Sequence, residues 1–208
     1  MAVLESKYSN QVFATLQADV LAPAQVVGLA HTVEQGKVKL SWTAVTKNSD
    51  DSDITDLAGY RIYRKDEAGG SFALVGSVDH LTVEYADSTI KDGASFIYAV
   101  AAIDAAATPN EGAKSADLAV KTIPSVPTGL ISSATQSAIS LNWASVKSVE
   151  DTKLNENLAG YNVYRSETDG SGYAKVGNVE AEATTFEDTS VEFGTTYYYV
   201  ITAFDNSL

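Results

Sequence analysis

The sequence predicts an all-β chain folded as two tandem β-sandwiches, and three observations predict it. First, the chain repeats itself. A shift of 101 residues places Pro23 on Pro124, Gly28-Leu29 on Gly129-Leu130, Leu40 on Leu141, Trp42 on Trp143 and Gly59-Tyr60 on Gly160-Tyr161. The same shift brings Tyr63-Arg64 onto Tyr164-Arg165, Val75-Gly76 onto Val176-Gly177, Asp87 onto Asp188, Gly93 onto Gly194, Tyr98 onto Tyr199 and Asp104 onto Asp205, with no gap. Second, apolar and polar residues alternate within short runs such as KVKLSW, GYRIYR, TVEYAD and FIYAVAA, separated by Gly, Asp, Asn and Ser, which is the pattern of antiparallel strands buried on one face. Third, no stretch carries convincing helical periodicity. The 208 residues, 45% of them hydrophobic, suffice for two domains of about 100 residues.

Each element has its own signal. Pro23 and Gly28-Leu29 mark the first strand, and KVKLSW carries the second to Trp42. GYRIYR is the third strand, TVEYAD leads through Asp87 into a corner, and FIYAVAA is the sixth. Alternating Leu118 and Val120 in EGAKSADLAVKTIP mark a seventh. The second copy follows with SLNW, GYNVYR and YYYVITAFD, and the sequence ends at Leu208 before an equivalent of the seventh strand.

These residues resemble the fibronectin type III domain. Both copies carry the Pro and Gly-Leu of its first strand, the core Trp ending its second, Gly-Tyr-x-x-Tyr-Arg on its third, and Gly-x-x-aromatic-x-Tyr leading into its sixth. The resemblance implies two tandem immunoglobulin-like sandwiches and a non-catalytic, extracellular or cell-surface bacterial setting. It also implies a tyrosine at the corner before the sixth strand whose hydroxyl bonds the local backbone. Tyr197 stands there in copy two but Phe96 in copy one, so copy one is expected to lose roughly 1 kcal/mol at that corner.

The domains are then residues 23–123 and 124–208, preceded by a leader, 1–22, that reads as an orphan seventh strand. Placing Glu5 on Glu111 puts Ser9 on Ser115, Val12 on Leu118 and Ala14 on Val120. Three arrangements are open. The leader hangs free, it folds back onto copy two of its own molecule, or it completes copy two of a neighbour. The stretch from Gln17 to Pro23 reaches roughly 24 Å, while the far pole of an extended pair lies about 70 Å away, so fold-back needs a jackknifed pair. Donation between chains uses Ser9, Val12, Phe13, Ala14 and Leu16 and predicts a head-to-tail homo-oligomer or filament. The competing class is a monomeric spacer or ligand-binding module of a larger secreted protein such as a polysaccharide-active enzyme.

Other classes find less in the residues. A formal charge of −13 argues against nucleic acid and anionic lipid, no run is long and apolar enough to insert into a membrane, and the start of this chain lacks a signal-peptide pattern. Without Cys there is no thiolate chemistry, and the two histidines, His31 on the first strand and His80 in a loop, have Ser132 and Ala181 as repeat partners, so no catalytic residues are assigned. The acidic loops, with Asp50, Asp51, Asp53 and Asp56 in copy one and Glu150, Asp151, Asn155 and Glu156 in copy two, offer oxygen ligands of the kind Ca²⁺ takes. Their spacing is not that of an EF-hand, and the expectation is a solvated loop with no cofactor, with Ca²⁺ as the alternative. Tyr198 is the strand tyrosine expected to face outward toward a sugar, a reading with no further support in the sequence.

Overall fold

The computed structural model describes residues 7–15, 19–146 and 158–206. Leu16, Glu150, Asp151, Asn155 and Glu156 lie outside the described residues, and so do the expectations placed on them. The described residues contain strands and no helix.

Copy one is a two-sheet sandwich. One sheet has the order β1 (Ala30–Glu34), β2 (Lys37–Ser41), β5 (Glu84–Asp87). The other runs β4 (Gly69–Asp79), β3 (Leu57–Asp66), β6 (Ser95–Asp104), β7 (Leu118–Lys121), and every pairing is antiparallel. The alternation seen in the sequence is the alternation between core and solvent. Val38 and Leu40 of β2, Tyr60 and Ile62 of β3, Tyr98 and Val100 of β6 and Val120 of β7 close on one another, with Trp42 edge-on to Tyr60 at 5.3 Å between ring centroids.

Copy two repeats this plan with one strand fewer among the described residues. β8 (Thr128–Ala134), β9 (Ile139–Ala144) and β12 (Thr185–Asp188) form one sheet, and β11 (Ala174–Glu180), β10 (Leu158–Ser166) and β13 (Tyr198–Asp205) the other. Its core gathers Leu141, Trp143, Val146, Tyr161, Val163 and Ile201, and Trp143 meets Tyr161 at 5.4 Å. In each copy the core tyrosine of the third strand accepts a backbone N–H, Val45 to Tyr60 at 3.0 Å and Val146 to Tyr161 at 2.8 Å, which pins the loop after the Trp. The indole Nε1 of Trp42 and of Trp143 is buried without a hydrogen-bond partner.

The repeated glycines have structural reasons. Gly76 and Gly177 each lie under an aromatic ring from the facing sheet, where an added Cβ would stand 2.4 Å from Tyr85 or Phe186. Gly28 has φ +70°, and β1 begins only at Ala30, so the first strand expected from Gly28-Leu29 is broken at that glycine before the ladder starts. Val27 still accepts the Thr43 N–H at 3.0 Å on the near side of the break.

The corner before the sixth strand differs from expectation. Tyr197 does bond the local backbone, its hydroxyl accepting the Glu192 N–H at 3.1 Å. Phe96 cannot, but Thr122, just past β7, ties the same corner: its hydroxyl accepts the Ala94 N–H at 2.8 Å and donates toward the Lys91 carbonyl at 2.7 Å. The hydrogen bonding missing from Phe96 is therefore supplied from the end of the seventh strand, and the expected weakness of copy one is offset there. Both rings carry an arginine on their face, Arg64 at 4.8 Å from the Phe96 centroid and Arg165 at 4.6 Å from that of Tyr197.

The two copies meet at a defined joint. Lys121, ending β7, pairs with Asp205 at 3.5 Å and donates to the Asn206 carbonyl, and Gln35 Nε2 reaches the Pro124 carbonyl at 3.3 Å.

Candidate functional site

The most buried charged groups among the described residues serve the fold. Asp87, fully buried, accepts from Arg64 Nη1 at 2.6 Å, from Tyr98 Oη at 2.8 Å, and from the backbone and hydroxyl of Thr89 at 2.9 and 2.8 Å. Asp188 repeats the set with Arg165, Tyr199 and Ser190. Burial alone would raise these carboxyls, but the hydroxyl and N–H of Thr89 or Ser190, the tyrosine and the arginine outweigh it and hold both below their ordinary value. Burial and the neighbouring carboxylate push the Tyr98 and Tyr199 hydroxyls far up, so they stay protonated donors.

The acidic loop of copy one does not converge on a point. Asp50 turns back to accept the Ser52 N–H at 3.0 Å and its hydroxyl at 2.6 Å, and Asp53 takes the Lys47 ammonium at 2.5 Å. Asp51 is exposed at φ 69°. Asp56 leaves this group and meets Asp19 from the leader and Asp104 from the end of β6, the three carboxylates lying within 4.8 Å of one another. Sequence spacing could not reveal that cluster, since its members are far apart in the chain. Burial raises the Asp56 carboxyl, and Asp19 and Asp104 push it the same way. Asp104 is held low despite burial, because Asn110 and the Ala106 N–H donate to it. Asp205, the repeat partner of Asp104, instead faces Lys121 across the joint.

A cleft of about 540 Å³ opens on sheet β8-β9-β12. Its exposed side chains, Ile131, Ser133, Ser140, Asn142, Thr185 and Glu187, form two cross-strand rows that offer mostly uncharged donors and acceptors. Tyr198, expected to be the outward aromatic, is partly buried, and no tyrosine lines this cleft.

The remaining feature is the edge of β13. In copy one β7 pairs with β6 from Ser95↔Lys121 to Tyr98↔Leu118, and Ala99 and Ala101 are fully buried. In copy two no described strand lies on the side of β13 away from β10, Val200 is 37% exposed where its counterpart Ala99 is 0%, and the strand begins at Tyr198, two residues later than the repeat of β6 would. Of the expected donor residues, Ser9, Val12, Phe13 and Ala14 lie in an exposed segment, 7–15, that forms no strand within its own chain.

No protein-family model matches the chain. It is 32% identical over 200 residues to exoglucanase B of Cellulomonas fimi, a match covering 92% of this chain and 16% of that protein. It is 33% identical over 84 residues to an amylopullulanase of Thermoanaerobacterium saccharolyticum, covering 40% of this chain and 6% of that one. The chain thus spans only a small part of the curated relatives it matches. Among solved structures it is similar to a two-domain fibronectin type III segment of chicken tenascin, at 13% identity and TM-score 0.47 over 87% of this chain and 91% of that one. It is also similar to the FN1–FN3 domains of chicken CNTN1, at 14% identity and TM-score 0.41 over 88% and 63%.

Proposed function

From a chain that is a tandem of fibronectin type III-like sandwiches, we propose that it works as a non-catalytic accessory module of a larger secreted polysaccharide-active enzyme, holding the parts on either side of it at a set separation. The observation that carries this reading is the match to exoglucanase B, which takes in nearly all of both sandwiches yet a small share of that protein. A polymer too large to enter a cell places such an enzyme outside it. The joint suits a spacer: the Lys121–Asp205 pair and the Gln35 bond to Pro124 restrain one sandwich against the next, and Pro124 and Pro127 stiffen the link.

Two measurements test the proposal. The isolated chain releases no reducing sugar from soluble glucans, and turnover above background would remove the non-catalytic reading. Small-angle scattering gives one narrow distribution of interdomain distances that broadens in Lys121→Ala; a wild-type chain already behaving as two freely hinged bodies would defeat the spacer.

One observation favours a second reading, self-assembly in which chains add strands to one another. Among the described residues, the free edge of β13 contrasts with its covered counterpart in the same molecule, and exposed edges template pairing with another chain.

A further inference from the structure

We propose that the β13 edge is a strand acceptor and that its occupant is residues 12–15 of a second copy of this chain, added antiparallel as the seventh strand of copy two. The inference rests on the self-assembly reading and supplies its segment and register. Three separate features meet at this edge.

The backbone comes first. Copy one shows what the edge accepts: a four-residue strand whose partners are Ser95, Phe96, Ile97 and Tyr98. Carrying that register across the repeat sets Thr15 opposite Thr196, Ala14 opposite Tyr197, Phe13 opposite Tyr198 and Val12 opposite Tyr199. Thr196 and Tyr197 are the two residues by which β13 falls short of β6, and among the described residues they lack the seventh-strand ladder that Ser95 and Phe96 have.

The side chains come second. In this register Val12 and Ala14 take the core-facing places of Leu118 and Val120, while Phe13 lies on the outer face opposite Tyr198, an aromatic cross-strand pair. Val12 and Phe13 are 81% and 95% exposed in the single chain, and Val200 on the acceptor is open beside them. Joining the two takes Val12 out of water and covers part of Phe13 and Val200.

The third feature is a polar atom. In copy one the segment leading into β7 brings Glu111 against the sheet, where it accepts from Arg61 at 2.6 Å and from the Tyr63 hydroxyl at 2.6 Å. The repeat counterparts of those two residues are Asn162 and Tyr164, and Asn162 Oδ1 is buried with no hydrogen-bond partner. A buried acceptor left without a donor costs about 1 to 3 kcal/mol in general, and this one sits on β10 opposite Thr202 of β13, next to the acceptor strand.

The donor must come from another molecule. Residues 19–22 are fastened to the outer pole of copy one, the Asp19 carbonyl accepting from Asn110 Nδ2 at 3.2 Å and that of Ala22 from the Ser49 N–H at 2.9 Å. From Asp19 back to Thr15 the chain reaches roughly 14 Å. With the sandwiches set end to end at the Lys121–Asp205 contact, the start of β13 is about two strand lengths away, near 60 Å at about 3.3 Å per residue.

The chain has no cysteine, so single substitutions report cleanly. Phe13→Cys chains mixed with Tyr198→Cys chains under mild oxidation should give a disulfide-linked heterodimer, well above the adduct formed by Phe13→Cys with the exposed control Leu81→Cys. Sedimentation of the wild type should show mass rising with concentration above 22.0 kDa, and Val12→Asp should weaken association at least about tenfold. A fixed mass at every concentration overturns both this inference and the self-assembly reading. Growth in mass that Val12→Asp leaves unchanged, or that yields no adduct above the control, keeps assembly and overturns the proposed segment and register.

Discussion

Asp87 and Asp188 show how a single carboxylate fixes the pH range of such a sandwich. Each is nearly or fully buried and each titrates below the ordinary value of 3.8 when folded. The stabilisation they give is therefore complete above the unfolded value and disappears as pH falls through the lower, folded one. Melting temperature should hold from neutral pH to about 4 and then drop steeply, and Asp87→Asn should flatten that drop while costing about 3 kcal/mol at pH 7 by leaving Arg64 without its partner. Asp56 has the opposite sign: its folded carboxyl titrates above the ordinary value, so the charged form is disfavoured in the fold and stability is regained as pH falls. Asp56→Asn should raise the melting temperature at pH 7, with the gain shrinking toward pH 4. Gly76 makes a steric prediction. Gly76→Ala drives a methyl into the Tyr85 ring and should destabilise copy one by about 1 to 3 kcal/mol in a denaturant titration.

At the scale of elements, the seventh strand does more than extend a ladder. It brings Thr122 to the corner that Phe96 leaves without a hydroxyl and Glu111 to Arg61 and Tyr63, so separate regions of copy one depend on it. Thr122→Val should cost copy one about 1 to 3 kcal/mol, since the Ala94 N–H and Lys91 carbonyl both lose a partner. Tyr197→Phe, whose hydroxyl takes one exposed N–H, should cost copy two about 0.5 to 1 kcal/mol. Strand identity is legible in the sequence because period-two burial is written in the residues themselves: Val38, Leu40, Tyr60 and Tyr98 all point inward as their alternation requires. Contacts between distant segments leave no such trace. Nothing in the local sequence of Asp19, Asp56 or Asp104 announces that three chain segments bring them together, and Thr122 reads as an ordinary strand-end residue until the corner it fastens is seen. Gly28 reads as a strand residue, and is not one, because the Gly-Leu pattern does not disclose a left-handed backbone.

In the molecule as a whole, two copies of one pattern end with unequal cover. Among the described residues, the sixth strand of copy one is enclosed on both sides and that of copy two on one. Hydrogen exchange at dilute concentration should find the amides of Tyr198 to Thr202 less protected than those of Ile97 to Ala101, and calorimetry should resolve two transitions, copy two melting first. The joint should transmit little of this difference, because among the described residues its polar contacts are one ion pair and two hydrogen bonds at the ends of strands.

The two indoles are the only ones in the chain, one per sandwich, and both keep their N–H away from any acceptor. Fluorophores held so dry emit at short wavelength and redden on wetting, so each half of the protein carries its own optical gauge. Trp42→Phe or Trp143→Phe would silence one gauge and leave the other to report, in real time, the melting of its own sandwich.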